Sequence, residues 1–88
     1  MRAKRYDVRL STPAEKDLGR LDKPVLKRIL PVIAALADNP RPHGCTALQG
    51  VEHGWRIVIG PWRVLYTVED AVVTVMVFRV QHRREVYR

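Results

Sequence analysis

The chain is short of several things, and each shortage excludes a class of protein. It has one cysteine, Cys45, in 88 residues. No internal disulfide framework can form, which fits a reducing compartment and predicts a cytoplasmic protein. Long hydrophobic runs are missing too. The longest, Ala71 to Phe78, is broken at Thr74 and is far too short to cross a bilayer, so no membrane partner is expected. No basic segment followed by an apolar stretch opens the chain, so no secretory signal is expected. There is no glycine-rich phosphate loop, and with 10.2 kDa there is no room for a separate cofactor domain, so no cofactor is expected. Repeats, low-complexity segments and linkers are absent, which leaves one small domain, residues 1–88. A composition of 47% hydrophobic and 28% charged residues is that of a globular chain. A core of this size is marginal without a partner.

Acidic residues are also scarce. Nine Asp and Glu face sixteen Lys and Arg, for a net charge of +7. The excess sits at the ends. Arg2, Lys4, Arg5 and Arg9 against Asp7 give +3 in residues 1–10, and Arg79, Arg83, Arg84 and Arg88 against Glu85 give +3 in residues 79–88. If the two ends meet in space they form one positive patch, which attracts polyanions, nucleic acid first. Basic tails that merely aid solubility are the other reading.

The hydrophobic pattern predicts an α+β fold. Tyr6, Val8 and Leu10 alternate with Asp7 and Arg9 as a first strand. Thr12 as N-cap, Pro13 at the first helical position and Glu15 closing a capping box start a helix over 13–20. Asp22-Lys23-Pro24 opens a second helix over 23–38, with an apolar stripe of Leu26, Ile29, Leu30, Ile33, Leu36 and Ala37. Pro31 interrupts its hydrogen bonding, and Asn39-Pro40 ends it. Residues 40–54 read as loop. The period then changes from 3.6 to 2. Trp55, Ile57 and Ile59 form one strand; Trp62, Val64, Tyr66 and Val68 form the next, after the Gly60-Pro61 turn. Ala71 to Val80 forms the most apolar one. Short connections make these an antiparallel meander, and the helix hairpin is the cover available for its apolar face.

The polar residues of the sheet point to phosphate chemistry. The simplest register puts Arg56 and Arg63 together on the face away from the helices. His82, Arg83, Arg84 and Tyr87 follow the last strand. Arginine grips phosphate with a permanently charged fork and is a poor base, so tyrosine and histidine are the candidate proton carriers. Strand arginines that pair with Glu69 or Glu85 are the structural alternative. His43, Cys45 and His53 match no standard zinc spacing and lack a fourth ligand, so no metal site is expected. Trp55, Trp62 and Tyr66 are candidates for stacking on bases, but their alternation with the arginines favours sheet core.

Taken in order, Lys16-Asp17-Leu18, Asn39-Pro40, Trp55-Arg56-Ile57, Gly60 followed by Trp62-Arg63-Val64-Leu65-Tyr66, and Val80-Gln81-His82-Arg83-Arg84-Glu85-Val86-Tyr87 resemble the RelE/ParE superfamily of small bacterial toxins, and within it the RelE branch. The resemblance covers nearly the whole chain. It implies the fold already read, with the helices on one sheet face. It also implies a toxin of a type II toxin–antitoxin pair that acts as a ribosome-dependent, metal-independent mRNA endonuclease. In such an enzyme the ribose 2′-hydroxyl attacks the adjacent phosphate. The residues it points to as catalytic are Arg63, Arg83, Tyr87 and His82, with Arg56, Arg84 and Arg79 as RNA-binding. Arg84 replaces Arg83 if the match shifts by one residue. Some RelE enzymes carry a lysine two residues after the Arg56 position; here Val58 stands there, and the proton role falls on Tyr87 or His82. The implied partners are a cognate antitoxin that wraps the hairpin or sheet and places acids near Arg63 and Arg83, the ribosome with its mRNA, and operator DNA reached through the antitoxin. The alternative is a ParE-like toxin that shares the fold, is not a nuclease and inhibits DNA gyrase.

Overall fold

Two periodicities in the chain become two layers. In a computed structural model, which describes residues 5–86, the order is β1 (Asp7–Leu10), α1 (Thr12–Gly19), α2 (Lys23–Ala35), β2 (Thr46–Ala47), β3 (Gly54–Ile59), β4 (Trp62–Glu69), β5 (Thr74–His82) and α3 (Arg83–Val86). The five strands make one sheet in the order β1-β5-β4-β3-β2. β1 runs parallel to β5, and the other neighbours are antiparallel. The α+β architecture and the meander are therefore as expected, and the apolar strand is an inner one. Among the described residues, no helix is long and apolar enough to cross a membrane.

Alternation along β4 decides which face is covered. Val64, Tyr66 and Val68 are buried and meet Val75, Val77 and Val80 of β5, Ala14, Leu18, Ile29 and Ile33 of the two long helices, and Leu36, the C-cap of α2. Trp55, Ile57, Ile59 and Trp62 pack at the margin of this core. The aromatic residues considered for base stacking are thus core and near-core residues. Tyr66 is fully buried, and its hydroxyl donates to the Pro40 carbonyl at 2.8 Å; burial pushes its ionisation well above the usual tyrosine range.

Four details differ from the sequence reading. The cap of α1 is Ser11, whose hydroxyl accepts the Ala14 N–H at 3.2 Å. Its own N–H donates to Val77 O, continuing the β1–β5 ladder, so no reciprocal glutamate is needed and Glu15 closes no capping box. Second, α2 continues through Pro31 and stops at Ala35, followed by a turn. Third, Thr46–Ala47 of the expected loop pairs with β3 as a short edge strand. Fourth, residues 71–73 are not strand. Asp70–Val72 form a 3₁₀ turn, and Val73 takes φ +49°, a left-handed conformation that is strained for a β-branched residue. Asp70 holds that turn in place. It accepts from Tyr6 Oη at 2.6 Å and from Arg41 Nη2 at 2.7 Å, tying together β1, the segment after α2 and the entry to β5.

The same ion pair sets an acid limit. Hydrogen bonding from Arg41, then from Tyr6, holds the Asp70 carboxyl below its ordinary pKa of 3.8. A carboxylate depressed in the folded state contributes stability above its unfolded pKa and loses it as pH falls through the folded value. Asp70→Asn should therefore lower the thermal midpoint at neutral pH. A series of melting curves should show the gap from the parent protein closing below about pH 4.

Candidate nucleic-acid interface

The face opposite the helices carries the candidate arginines, and the register places them. Arg56 of β3 lies opposite Leu65 of β4, which lies opposite Arg79 of β5; in the next row Val58, Arg63 and Gln81 stand side by side. Residues opposite each other in antiparallel strands share a face, so Arg56 and Arg63 are together on the open side, as diagonal neighbours within reach of long side chains. Both are half-buried rather than fully exposed. The Nε of Arg56 is buried without a hydrogen-bond partner among the described residues. Leaving a buried donor unsatisfied costs about 1–3 kcal/mol, and the described residues supply no acceptor for this one. Val58 beside Arg63 is half exposed and offers an apolar wall but no proton.

A bulge in β5 then redirects the chain. Tyr66 faces Val77, but Leu65 faces Arg79, so Phe78 is an extra residue and the inward positions change from odd to even numbers. Val80 consequently enters the core, and Gln81 stands next to Arg63. The sequence alone did not single out Gln81, because the bulge breaks the period that would have assigned its face.

Arg79 is paired within the fold. Its Nε donates to Asp17 Oδ2 at 2.8 Å and its Nη2 to Asp17 Oδ1 at 3.3 Å, while the Val80 N–H donates to the same Oδ2 at 2.9 Å. Asp17 is the buried charged side chain among the described residues, 7% exposed. Beyond Val77 strand β1 has ended, and this carboxylate of α1 takes over the free edge of β5. Arg79 is thus a structural ion pair first.

His82 lies on the other face of the sheet from Arg63. It lies opposite Trp62, which packs against the core, so its ring is on the helix side, edge-on to Trp62 at 5.0 Å and 88°. Its Nδ1 accepts the Arg84 N–H, and its own N–H donates to Glu85 Oε1, both at 3.2 Å. This is a capping box for α3 in which imidazole replaces the usual hydroxyl. The lone pair that a general base needs is occupied by the helix, and the ring is turned away from Arg56 and Arg63. Arg83 and Arg84 are exposed on α3, next to the Gly60-Pro61 turn, because the Arg83 N–H donates to Pro61 O at 2.8 Å. Gly60, at φ +59°, also lets the Arg28 guanidinium of α2 approach closely; a Cβ there would lie 2.8 Å from Arg28 Nη2. Tyr87 lies outside the described residues.

Residues 8–87 match the family described as the ParE toxin of the type II toxin–antitoxin system, parDE. The chain belongs to this toxin family. Toxin RelG of Mycobacterium tuberculosis (strain ATCC 25618 / H37Rv) is 30% identical over 84 residues, covering 94% of this chain and 97% of RelG. The structure of the toxin–antitoxin complex RelBE2 from the same species aligns with TM-score 0.77 at 28% identity, over 90% of this chain and 99% of that one. The isolated E. coli RelE toxin aligns with TM-score 0.77 at 26% identity, over 93% and 90%. The toxin is therefore a member of the RelE/ParE superfamily, with the fold of its RelE-type relatives.

Two arginines in one row of the toxin's sheet should respond oppositely to loss of charge. Arg56→Met removes a buried donor without a partner and should leave the thermal midpoint unchanged or raised. Arg79→Met strands the Asp17 carboxylate. Since the Arg79 side chain is 37% exposed, solvent softens the loss to about 1 kcal/mol, or about 4–8 °C in a domain of this size. Calorimetry of the two variants measures both.

Proposed function

We propose that this toxin is a ribosome-dependent, metal-independent endoribonuclease that stops translation by cutting mRNA. The observation that carries the reading is the pair Arg56 and Arg63 on the open sheet face, with an unsatisfied buried Nε on Arg56. A shielded cationic face of this kind suits a phosphate whose charge grows during reaction. In the reaction, the 2′-hydroxyl attacks the neighbouring phosphorus, its proton leaves, and the 5′-oxygen departs with a proton, giving a 2′,3′-cyclic phosphate and a 5′-hydroxyl. Arg63 and Arg83 stabilise the phosphorane, and Arg56 holds the backbone. One preorganised donor contributes on the order of 3–4 kcal/mol in a water-excluded site. Arg84 on the exposed α3 adds backbone contact.

Proton transfer falls to Tyr87, which follows α3. The geometry of His82 argues against it as base, since its Nδ1 caps α3. With arginines that cannot give up a proton and an open sheet that does not align the 2′-hydroxyl by itself, the free toxin should be nearly inactive on naked RNA. The ribosome supplies the in-line geometry. A cognate antitoxin is the natural restraint: an acidic segment laid on the open face would occupy Arg63 and Arg83, as antitoxins accompany the relatives solved as toxin–antitoxin complexes. Operator DNA would be reached through that antitoxin. The match to the ParE family supports a second reading, a non-nuclease toxin that inhibits DNA gyrase.

Primer extension on an mRNA in a translating extract separates the two. The parent toxin should produce discrete stops, and Arg63→Ala should lower their yield at least about 100-fold while leaving the circular dichroism spectrum unchanged. His82→Ser, which preserves a cap for α3, should retain cleavage. Loss of cleavage with His82→Ser would restore histidine as the proton carrier. An intact message together with a block in DNA replication would establish the gyrase reading.

A further inference from the structure

Outside the open face, a cleft of about 200 Å³ lies between α1 and the free edge of β5, lined by Thr12, Pro13, Lys16, Asp17, Arg20 and Arg79. Lys16 lies in the last turn of α1 and Arg20, four residues on, is its C-cap, so the two stand at one end of the helix. Both are exposed, and neither forms an ion pair among the described residues. Asp17 is the carboxylate in the lining, and its oxygens are already engaged by Arg79 and the Val80 N–H. Instead of repelling an anion, it fixes the Arg79 guanidinium at the cleft wall. Glu85, whose field reaches Arg79, accepts the His82 N–H. Three cations against one neutralised carboxylate leave the cleft with a charge of about +2.

The cleft is also continuous with the open face. Arg79 stands two strands from Arg56 in a single row, through Leu65, a span of about 10 Å at ordinary strand spacing. Its side chain bends from that row over the strand edge to Asp17. A polyanion lying across Arg56 and leaving the sheet on the β5 side therefore passes over Arg79 into the cleft.

We propose that this α1–β5 cleft, with Lys16 and Arg20 facing an Arg79 held by Asp17, binds a backbone phosphate of the single-stranded substrate RNA beyond the scissile position. The assignment rests on the RNA reading above and deepens it. The contact is with phosphate, so it adds affinity and orientation without base preference.

Salt dependence measures the contact directly, because each phosphate neutralised on a single strand adds about 0.7 to the slope of log K against log salt. The probe is a fluorescent oligouridylate of about 12 nucleotides, titrated with toxin from about 50 to 200 mM salt. The double variant Lys16→Gln/Arg20→Gln should flatten the slope by about 0.7. The control Lys23→Gln/Lys27→Gln removes the same charge from α2 and should leave the slope unchanged. Equal slopes for the two double variants would overturn the proposal. So would intact RNA binding combined with lost affinity for an acidic peptide, which would give the cleft to a protein partner. Failure of the parent toxin to cut mRNA in the extract would remove the nuclease reading, while the slope difference would still report the phosphate site.

Discussion

A single buried carboxylate, Asp17, ties α1 to the second half of β5. Burying a charge is costly unless its lone pairs are filled. Asp17 fills them with the Arg79 guanidinium and the Val80 N–H. That arrangement does three things at once. It anchors α1 to the sheet, it satisfies the edge of β5 after β1 has ended, and it fixes the chain immediately after the Phe78 bulge. Val80, Gln81 and the capped turn at His82 come next along the chain, and the Arg83 N–H bonded to Pro61 O sets Arg83 and Arg84 beside the Gly60-Pro61 turn.

The sheet separates stability from recognition. One face is hydrophobic and closed by two helices, with Val64, Tyr66, Val75 and Val77 at its centre. The other carries half-buried arginines interleaved with Val58, Leu65 and Gln81. Arg56 pays a desolvation cost that no described partner offsets, whereas Arg79 and Arg41 are matched to carboxylates. The contrast is between an arginine donor left without a partner among the described residues and arginines tied to carboxylates. It accords with a type II toxin whose net charge is +7.

Much of this was legible in the sequence where period alone decides. The helix stripe of Leu26, Ile29 and Ile33, the alternation of Trp55 to Ile59 and of Trp62 to Val68, and the shared face of Arg56 and Arg63 all follow from spacings of 3.6 and 2, whereas Leu30, expected in the same stripe, is exposed, and Leu36 and Ala37 are buried beyond the end of α2. What escaped depends on partners distant in the chain. The turn at Asp70 needs Arg41, 29 residues away, and Tyr6, 64 residues away. The edge role of Asp17 needs Arg79, 62 residues on. The Phe78 bulge reverses the parity of every later residue in β5, which is why His82 lies opposite Trp62 on the helix side instead of sharing the open face with Arg63. Ser11 and Thr12 are equivalent caps by composition, and only the β1–β5 ladder chooses between them.

The central claim is that this cationic face promotes attack by a ribose hydroxyl within the message itself. The most direct test places a single 2′-deoxynucleotide immediately 5′ of the scissile phosphate in an mRNA bound to translating ribosomes. The account predicts that cleavage at that phosphate disappears while neighbouring sites on the same message are still cut. Cleavage at an unchanged rate across the deoxy position would contradict it.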